Sequence, residues 1–458
     1  MNSAHYKVAL VVPPFAKLIY GDEYALKTMT PSLGIFYIQS YCRDIADIKI
    51  FEGEFCQSIE DLIDEINEYA PDIIGLTSKS STYPLCVQIA ECTNAKFKII
   101  GGPMASFSIE KCLENFDIVF IGDSEVSMRE FLSGVPIEDV KGVAYKDKNG
   151  VSKINACAPF ISLDDIPFPD HNKIQKGQYR ASPHREMEAP FATMMTTRGC
   201  GLNCSFCMSA VGGMNNGVYR ERSVKNVIDE INILTTQFGV KSIQFWDDTW
   251  TMRKLRTKEM CEEIKKFNIS YTINTRTDKL DDEIINWLVD SGCKGVFLGV
   301  ESGDQLILDL NYNKNIQNSQ VAKVFSSCKK FNLRSTASFI FGSIDDTKES
   351  IIQSVDFALQ LDADFVLFNI YTAHPGTSGF EMALKEGIIC DYKVDYEKYK
   401  DEPVGIPTIC RNLTRRELHF LKTEAYIKYY SYKNSDLYKQ IIQTYVDELN
   451  RLKELYSY

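Results

Sequence analysis

Over its first ~130 residues the chain alternates short apolar runs with amphipathic stretches, the pattern of a parallel sheet covered on both faces. The runs at 7–12, 48–52, 72–77, 97–101 and 116–122 predict strands. Helical periods lie between them. In 58–69, Ile59, Leu62, Ile63 and Ile66 recur at helical spacing behind Ser58, a residue type that caps helix N-termini. Five such units predict an α/β fold that opens with a doubly wound, flavodoxin- or Rossmann-like domain over residues 1–138. Ligands of that architecture bind beyond the carboxyl ends of the strands, which marks Thr77-Ser78, Gly101-Gly102-Pro103 and Gly122-Asp123.

Residues 140–155 predict a hairpin, with 143–145 facing 151–153 across a turn containing Asn149-Gly150. The stretch 157–190, which includes Ile166-Pro167-Phe168-Pro169-Asp170, has no sustained period; 139–190 is therefore assigned to hairpin and linker. Alternation resumes at residue 191. Strands are expected at 191–197, 242–247, 270–276, 295–301, 335–342 and 364–371, each followed by a helical stretch. Six such units predict a partial (β/α)6 barrel over 191–390, with its chemistry at the carboxyl ends of the strands. The remainder, 391–458, is helical in pattern and carries Tyr426, Tyr429, Tyr430 and Tyr432, as a packing or dimer helix would.

Composition narrows the function classes. The chain has 458 residues, 44% hydrophobic and 25% charged, the balance of a globular protein of two or three domains. Its formal net charge of −11 gives no electrostatic reason to expect nucleic acid or an anionic membrane as partner, so a small molecule or peptide is the expected substrate. The opening segment lacks the features of a secretory signal and no stretch reaches membrane-spanning length, so a cytoplasmic location is expected. Fourteen cysteines in such a chain point to buried thiols plus a metal site rather than to disulfides.

The metal site is legible directly after the first barrel strand, in Thr197-Arg198-Gly199-Cys200-Gly201-Leu202-Asn203-Cys204-Ser205-Phe206-Cys207. The spacing is C-x3-C-x2-C. Three thiolates on one short loop can hold three corners of an iron-sulfur cube and leave one iron open to a small ligand. A zinc site would want a fourth ligand, and the nearest downstream cysteine is Cys261. Three unrelated core thiols would not account for Gly199 and Gly201. An electron carrier would ordinarily close its cluster with four ligands. Cys390 and Cys410, twenty residues apart, have the spacing of lone structural thiols.

These residues resemble the radical S-adenosylmethionine (SAM) enzymes, across about 190–390. The resemblance implies a [4Fe-4S] cluster on Cys200, Cys204 and Cys207 that cleaves SAM to a 5'-deoxyadenosyl radical, fed by an external one-electron reductant such as flavodoxin or ferredoxin. It also implies SAM contacts. Phe206 is the aromatic before the third cysteine, and the backbone around Met208 would face the adenine. Asp247 and Asp248, ending the second strand, would hold the amino group, and Arg276 the carboxylate. Glu301 and Ser302 would meet the ribose and methionine, and Gly342 lies on the strand expected against the adenine. Asp345-Asp346 stands where a Pro-Gly-Glu-like turn is common. Simpler roles exist for some of these residues: the two aspartates as helix caps, Glu301 as a surface residue. His374, in Thr372-Ala373-His374-Pro375-Gly376-Thr377, is the barrel's one histidine and a candidate catalytic residue, with a backbone-bonded loop histidine as the alternative.

The front domain, through Pro13-Pro14, Pro31-Ser32-Leu33-Gly34, Gly101-Gly102-Pro103 and Gly122-Asp123-Ser124-Glu125, resembles the cobalamin-binding module of the cobalamin-dependent radical SAM subclass. That implies cobalamin contacts from Thr77, Ser78, Gly101, Gly102, Pro103, Met104, Gly122, Asp123, Ser124 and Glu125. No Asp-x-His-x-x-Gly occurs, so no histidine is assigned below the corrin. Met104 stands where histidine is common, and Asp123-Ser124 where Glu-Gly is usual; either the corrin contact is altered or the module has lost cobalamin. With cobalamin the implied reaction is methylation of an unactivated carbon or a phosphinate-type phosphorus. Without it, the barrel would run a dehydration, rearrangement or cyclisation.

Overall fold

The computed structural model describes residues 6–14, 29–175, 179, 181, 187–210, 217–389, 408–433 and 436–455. In the front half, β1 (Lys7–Val12), β2 (Asp47–Glu52), β3 (Ile73–Thr77), β4 (Phe97–Gly101) and β5 (Ile118–Phe120) form a parallel sheet in the order β2-β1-β3-β4-β5. The strand order reverses between β1 and β3, which creates the crevice where such sheets bind ligands. Alternate residues serve opposite faces: Val8 and Leu10 enter one apolar core, Ala9 and Val11 the other. Burial on both sides is why β1 and β3 are almost wholly apolar, while the edge strand β2 keeps Asp47, Lys49 and Glu52. The helix Ile59–Tyr69 starts as expected, with the Ser58 hydroxyl accepting the Asp61 N–H at 3.0 Å and Leu62 and Ile66 buried.

The hairpin extends this sheet. β6 (Val143–Lys146) runs antiparallel to β5, and β7 (Ser152–Ile154) antiparallel to β6. β7 begins one residue later than expected, because the Asp147 carboxylate accepts the N–H groups of Asn149 and Val151 and draws Val151 into the turn.

The second sheet begins at β8 (Phe191–Met194), three residues shorter than the expected strand. Thr196 leaves the sheet: its N–H donates to the Asp247 carboxylate and its carbonyl accepts the Arg222 N–H. Beyond it, β9 (Thr197–Arg198) and β10 (Arg220–Glu221) pair antiparallel on either side of the cysteine loop. β8 then joins β11 (Ser242–Phe245), β12 (Ser270–Arg276), β13 (Cys293–Glu301), β14 (Arg334–Phe341) and β15 (Phe365–Ile370) in one parallel sheet, paired in chain order. β8 and β15 are its two edges, so the barrel is open.

The tyrosines of the tail close the β15 edge. In the helix Arg415–Lys433, the Tyr430 hydroxyl accepts the Val366 N–H and donates to the Val366 carbonyl, and the Tyr426 hydroxyl does the same for Phe368. Residues four apart on a helix thus match residues two apart on a strand edge. Tyr429 donates to the Ala363 carbonyl, while Tyr432 points to solvent. A second helix, Lys439–Leu455, packs behind, stacking Tyr445 on Tyr426. These contacts give the tail its packing role. Among the described residues no helix is long and apolar enough to cross a membrane, and every described cysteine is free. Cys410 is buried and donates to the Asp346 carbonyl; Cys390 lies outside the described residues.

Candidate active site

Two crevices open at the carboxyl ends of the two sheets, and they share a wall. The first lies across the β1/β3 switch point and encloses about 1220 Å³, open mouth included. Glycine shapes it. At Gly34 an added Cβ would meet nothing within 4 Å, so the position faces open space. Gly102 sits at φ +90°, where a Cβ would lie 2.8 Å from the Ser78 carbonyl oxygen; the ends of β3 and β4 approach this closely because residue 102 has no side chain.

Of the residues marked in the sequence, Thr77, Gly101, Gly102, Gly122, Asp123, Ser124 and Glu125 line this crevice. Ser78, Pro103 and Met104 stand behind the lining. The Ser78 hydroxyl donates to the Gly101 carbonyl at 3.3 Å, and its own carbonyl accepts the Met104 N–H. Pro103 opens the helix Pro103–Phe107, whose first turn carries Met104 into the apolar core, 2% exposed. Asp123 and Glu125 already have cationic partners from the barrel. Arg198 lies 3.1 Å from Asp123 and 2.7 Å from Glu125, and Arg220 also pairs with Asp123. The barrel side of the crevice is completed by Met195, Gly199, Ser209, Trp246 and Asp248.

The second crevice, about 1100 Å³ with its mouth, is lined by Cys200, Cys204 and Cys207. Gly199 and Gly201, at φ +76° and +70°, turn the loop that presents them. Its middle is pinned at Ser205, whose N–H donates to the Tyr312 carbonyl and whose carbonyl accepts the Gly379 N–H. The Phe206 ring meets Tyr312 edge-on at 5.8 Å and also faces the cavity. Among the described residues no three His, Cys, Asp or Glu side chains converge to hold a single metal ion; the thiols are spread around the cavity they share. Cys261, the fourth ligand a zinc site would call on, is buried in the barrel core, 3.7 Å from the Tyr271 hydroxyl. Soft donors set around an open cavity fit an iron-sulfur cube with a vacant corner. Burial pushes all three thiols up, Cys207 to about 11, so metal loading would release their protons.

The expected SAM contacts separate into two groups. Asp248, Arg276 and Glu301 line the thiol cavity with Phe206. Asp248 also lines the first crevice, where Ser209 of the cysteine segment donates to it at 3.1 Å; burial pushes its carboxyl up. Glu301 sits at φ +68° beside a bulge in β13 and forms a buried ion pair with Lys314, which also donates to the Gly299 carbonyl at 2.7 Å. Arg276 donates from each of its three nitrogens: Nε to Asp278, Nη1 to Cys204 Sγ and Nη2 to the Lys314 carbonyl.

Asp247, Ser302, Gly342 and Met208 lie outside the lining. One Asp247 oxygen accepts the Thr196 N–H and the hydroxyls of Thr196 and Thr197, tying the end of β8 to β11. Ser302 is buried against Ser354 at 3.3 Å. At Gly342 a Cβ would lie 2.6 Å from Leu418 of the tail helix, so this glycine makes room for packing. Asp346 accepts the N–H groups of Gly342 and Ser343 and the hydroxyls of Ser343 and Ser350, and so builds the turn that departs from the Pro-Gly-Glu-like pattern. Met208 begins a single turn, Met208–Ala210. His374 faces the cavity; burial pushes its imidazole down to about 4, and its Nδ1 has no partner among the described residues.

Sequence reasoning passed over Lys314, Thr249, Trp246 and Arg198. Arg198, Trp246 and Thr249 stood inside or beside segments already singled out. Lys314 had only a faint signal: Asn313 and Asn315 flank it, and both adopt the left-handed backbone that asparagine tolerates.

Comparison with known proteins bears on the whole chain. Residues 194–358 match the radical SAM superfamily, and residues 25–132 match the B12 binding domain. Over 440 residues the chain is 30% identical to an uncharacterized methyltransferase of Pyrococcus horikoshii, covering 93% of this chain and 92% of that protein. It is 23% identical to the cytidylyl-2-hydroxyethylphosphonate methyltransferase of Streptomyces wedmorensis, over 89% and 87% of the two chains. Its fold is similar to that of OxsB, a cobalamin-dependent SAM radical enzyme solved with aqua-cobalamin and SAM bound: TM-score 0.71 at 16% identity, covering 98% of this chain and 72% of that one. It is also similar to the fold of TsrM, a radical SAM methyltransferase from Kitasatospora setae, with TM-score 0.66 at 17% identity over 83% and 76%.

Proposed function

We infer that this chain, which belongs to the cobalamin-binding radical SAM methyltransferase family, methylates an unactivated centre in a small molecule or peptide. Its cofactors are a [4Fe-4S] cluster, SAM and cobalamin. When bound, the cluster supplies the electron that breaks a carbon-sulfur bond of SAM, and the corrin supplies a carrier for the methyl group.

One observation supports this reading above the others: Asp248 lines both crevices. A methyl carrier in the glycine-lined crevice and a radical source at the thiol cavity would stand on the two sides of one side chain and its neighbours. A substrate seated there could meet both. The residues divide the work accordingly. Cys200, Cys204 and Cys207 are proposed to hold the cluster. The buried pair Glu301 and Lys314 and the cavity-facing Asp248 are the charged groups placed to orient SAM, and Phe206 supplies an apolar wall. His374, neutral at physiological pH, can hydrogen-bond substrate or exchange a proton with it. Trp246 and Met195 supply apolar surface on the barrel side of the first crevice, where water must be kept from a reactive intermediate.

In the front domain Thr77, Gly101, Gly102, Gly122 and Ser124 are the proposed corrin contacts. Asp123 and Glu125, engaged by Arg198 and Arg220, are proposed to shape the crevice wall. Met104 is buried behind the lining and the crevice is present without it, which supports a cobalamin-dependent enzyme over a cobalamin-free one. A flavodoxin or ferredoxin is the proposed electron donor. Purification from cells supplied with cobalamin tests the reading: a corrin absorption band should accompany the protein. Protein that stays free of corrin, even after anaerobic reconstitution, would contradict it.

A further inference from the structure

We propose that Arg276 and Thr249 set the reduction potential of the cluster by hydrogen-bonding two of its three thiolates. The proposal rests on the cluster assignment above and goes beyond it. Arg276 ends β12 and is 8% exposed, with Nη1 3.2 Å from Cys204 Sγ. Its other two nitrogens are also engaged, Nε with Asp278 at 2.8 Å and Nη2 with the Lys314 carbonyl at 2.8 Å. Those bonds hold the guanidinium in the orientation that aims one N–H at sulfur. Thr249 is 2% exposed, with its hydroxyl 3.3 Å from Cys200 Sγ. A thiolate has no hydrogen to give, so once metal is bound the threonine must be the donor.

The three ligands therefore sit in unequal fields. Cys204 faces the Arg276 guanidinium, Cys200 has the Thr249 hydroxyl and Cys207 has Ser209 as donor, and the Asp248 carboxylate acts on both Cys200 and Cys207. Reduction adds one electron to the cluster, and that negative charge is shared with the sulfurs. Donors and a cation aimed at sulfur stabilise the reduced form more than the oxidised form, which raises the potential. Asp278 offsets part of the Arg276 charge, which leaves the directed N–H···S bond as the main effect of that residue. Both are positioning residues in this account: they act through the thiolates.

The test is an EPR-monitored redox titration of the reconstituted cluster without SAM, on the wild type and on Arg276→Gln, Arg276→Lys, Thr249→Val and Thr249→Ser. Arg276→Gln and Thr249→Val should each lower the potential, with Arg276→Gln shifting the reduction equilibrium about tenfold, ~59 mV for a one-electron couple. Arg276→Lys and Thr249→Ser, which keep a donor, should recover part of the shift. Wild-type potentials in both Arg276→Gln and Thr249→Val would overturn the proposal, as would weaker SAM binding in Arg276→Gln with no change in potential. Should Arg276→Gln fail to hold a cluster, the Thr249→Val and Thr249→Ser pair decides alone. A wild-type protein that takes up no iron would instead defeat the functional reading, so the two failures are distinct.

Discussion

Arg198, two residues before Cys200, places its Nη2 2.7 Å from a carboxylate oxygen of Glu125 in the front domain. The pair is largely buried, and Asp123 and the Tyr37 ring share the same guanidinium. The cysteine loop and the glycine-lined crevice are thus held in register by this side chain, with Arg220 as a second contact to Asp123. Arg198→Ala would strand the Glu125 carboxylate and leave Asp123 to Arg220 alone, and removing one partner of a buried pair costs about 3–5 kcal/mol. The expected outcome is a lower thermal midpoint together with weaker cobalamin retention. A variant with unchanged midpoint and unchanged corrin content would show that this contact does not couple the two halves.

The Tyr430 hydroxyl serves both backbone groups of Val366 on the open edge of the barrel. Tyr430→Phe leaves a buried N–H and C=O without that partner, at a cost of about 1–3 kcal/mol. Hydrogen exchange should report faster opening at the Val366 amide, with the Phe368 amide, served by Tyr426, less affected. Unaltered protection at Val366 would mean that the edge is closed by other means.

Burial pushes His374 down to about 4, against about 6.5 for an exposed imidazole. Between those values the unfolded chain binds more protons than the folded one. The contribution to stability is therefore complete above about pH 6.5 and is lost as pH falls toward 4. The thermal midpoint of the wild type should fall more steeply over that window than that of His374→Gln. Parallel curves would place the ring in water rather than in the cavity wall.

Much of this architecture was legible because local rules and tertiary demands agree. Val8 and Leu10 against Ala9 and Val11 make both faces of β1 apolar, so the doubly wound sheet announced itself, and Ser58 capped its helix as such residues do. The three cysteines were legible because their spacing is a chemical constraint carried on one loop. Contacts between distant segments were harder to read. Nothing local shows that Met104 turns inward with its helix, that Gly342 yields space to Leu418, or that Asp247 serves Thr196 rather than the cavity. The tyrosine-rich tail was visible as a pattern, but its match to the β15 edge depends on pairing a four-residue helical repeat with a two-residue strand repeat.

In the proposed reading, the thiolates of Cys200, Cys204 and Cys207 hold a cluster with one open iron beside a corrin crevice. The most direct measurement is product analysis after anaerobic loading with iron, sulfide and cobalamin, followed by SAM and dithionite. On this reading the wild type should release 5'-deoxyadenosine, and Cys204→Ala should lose that release. Loaded protein that releases none, or Cys204→Ala protein that releases as much as the wild type, would contradict it.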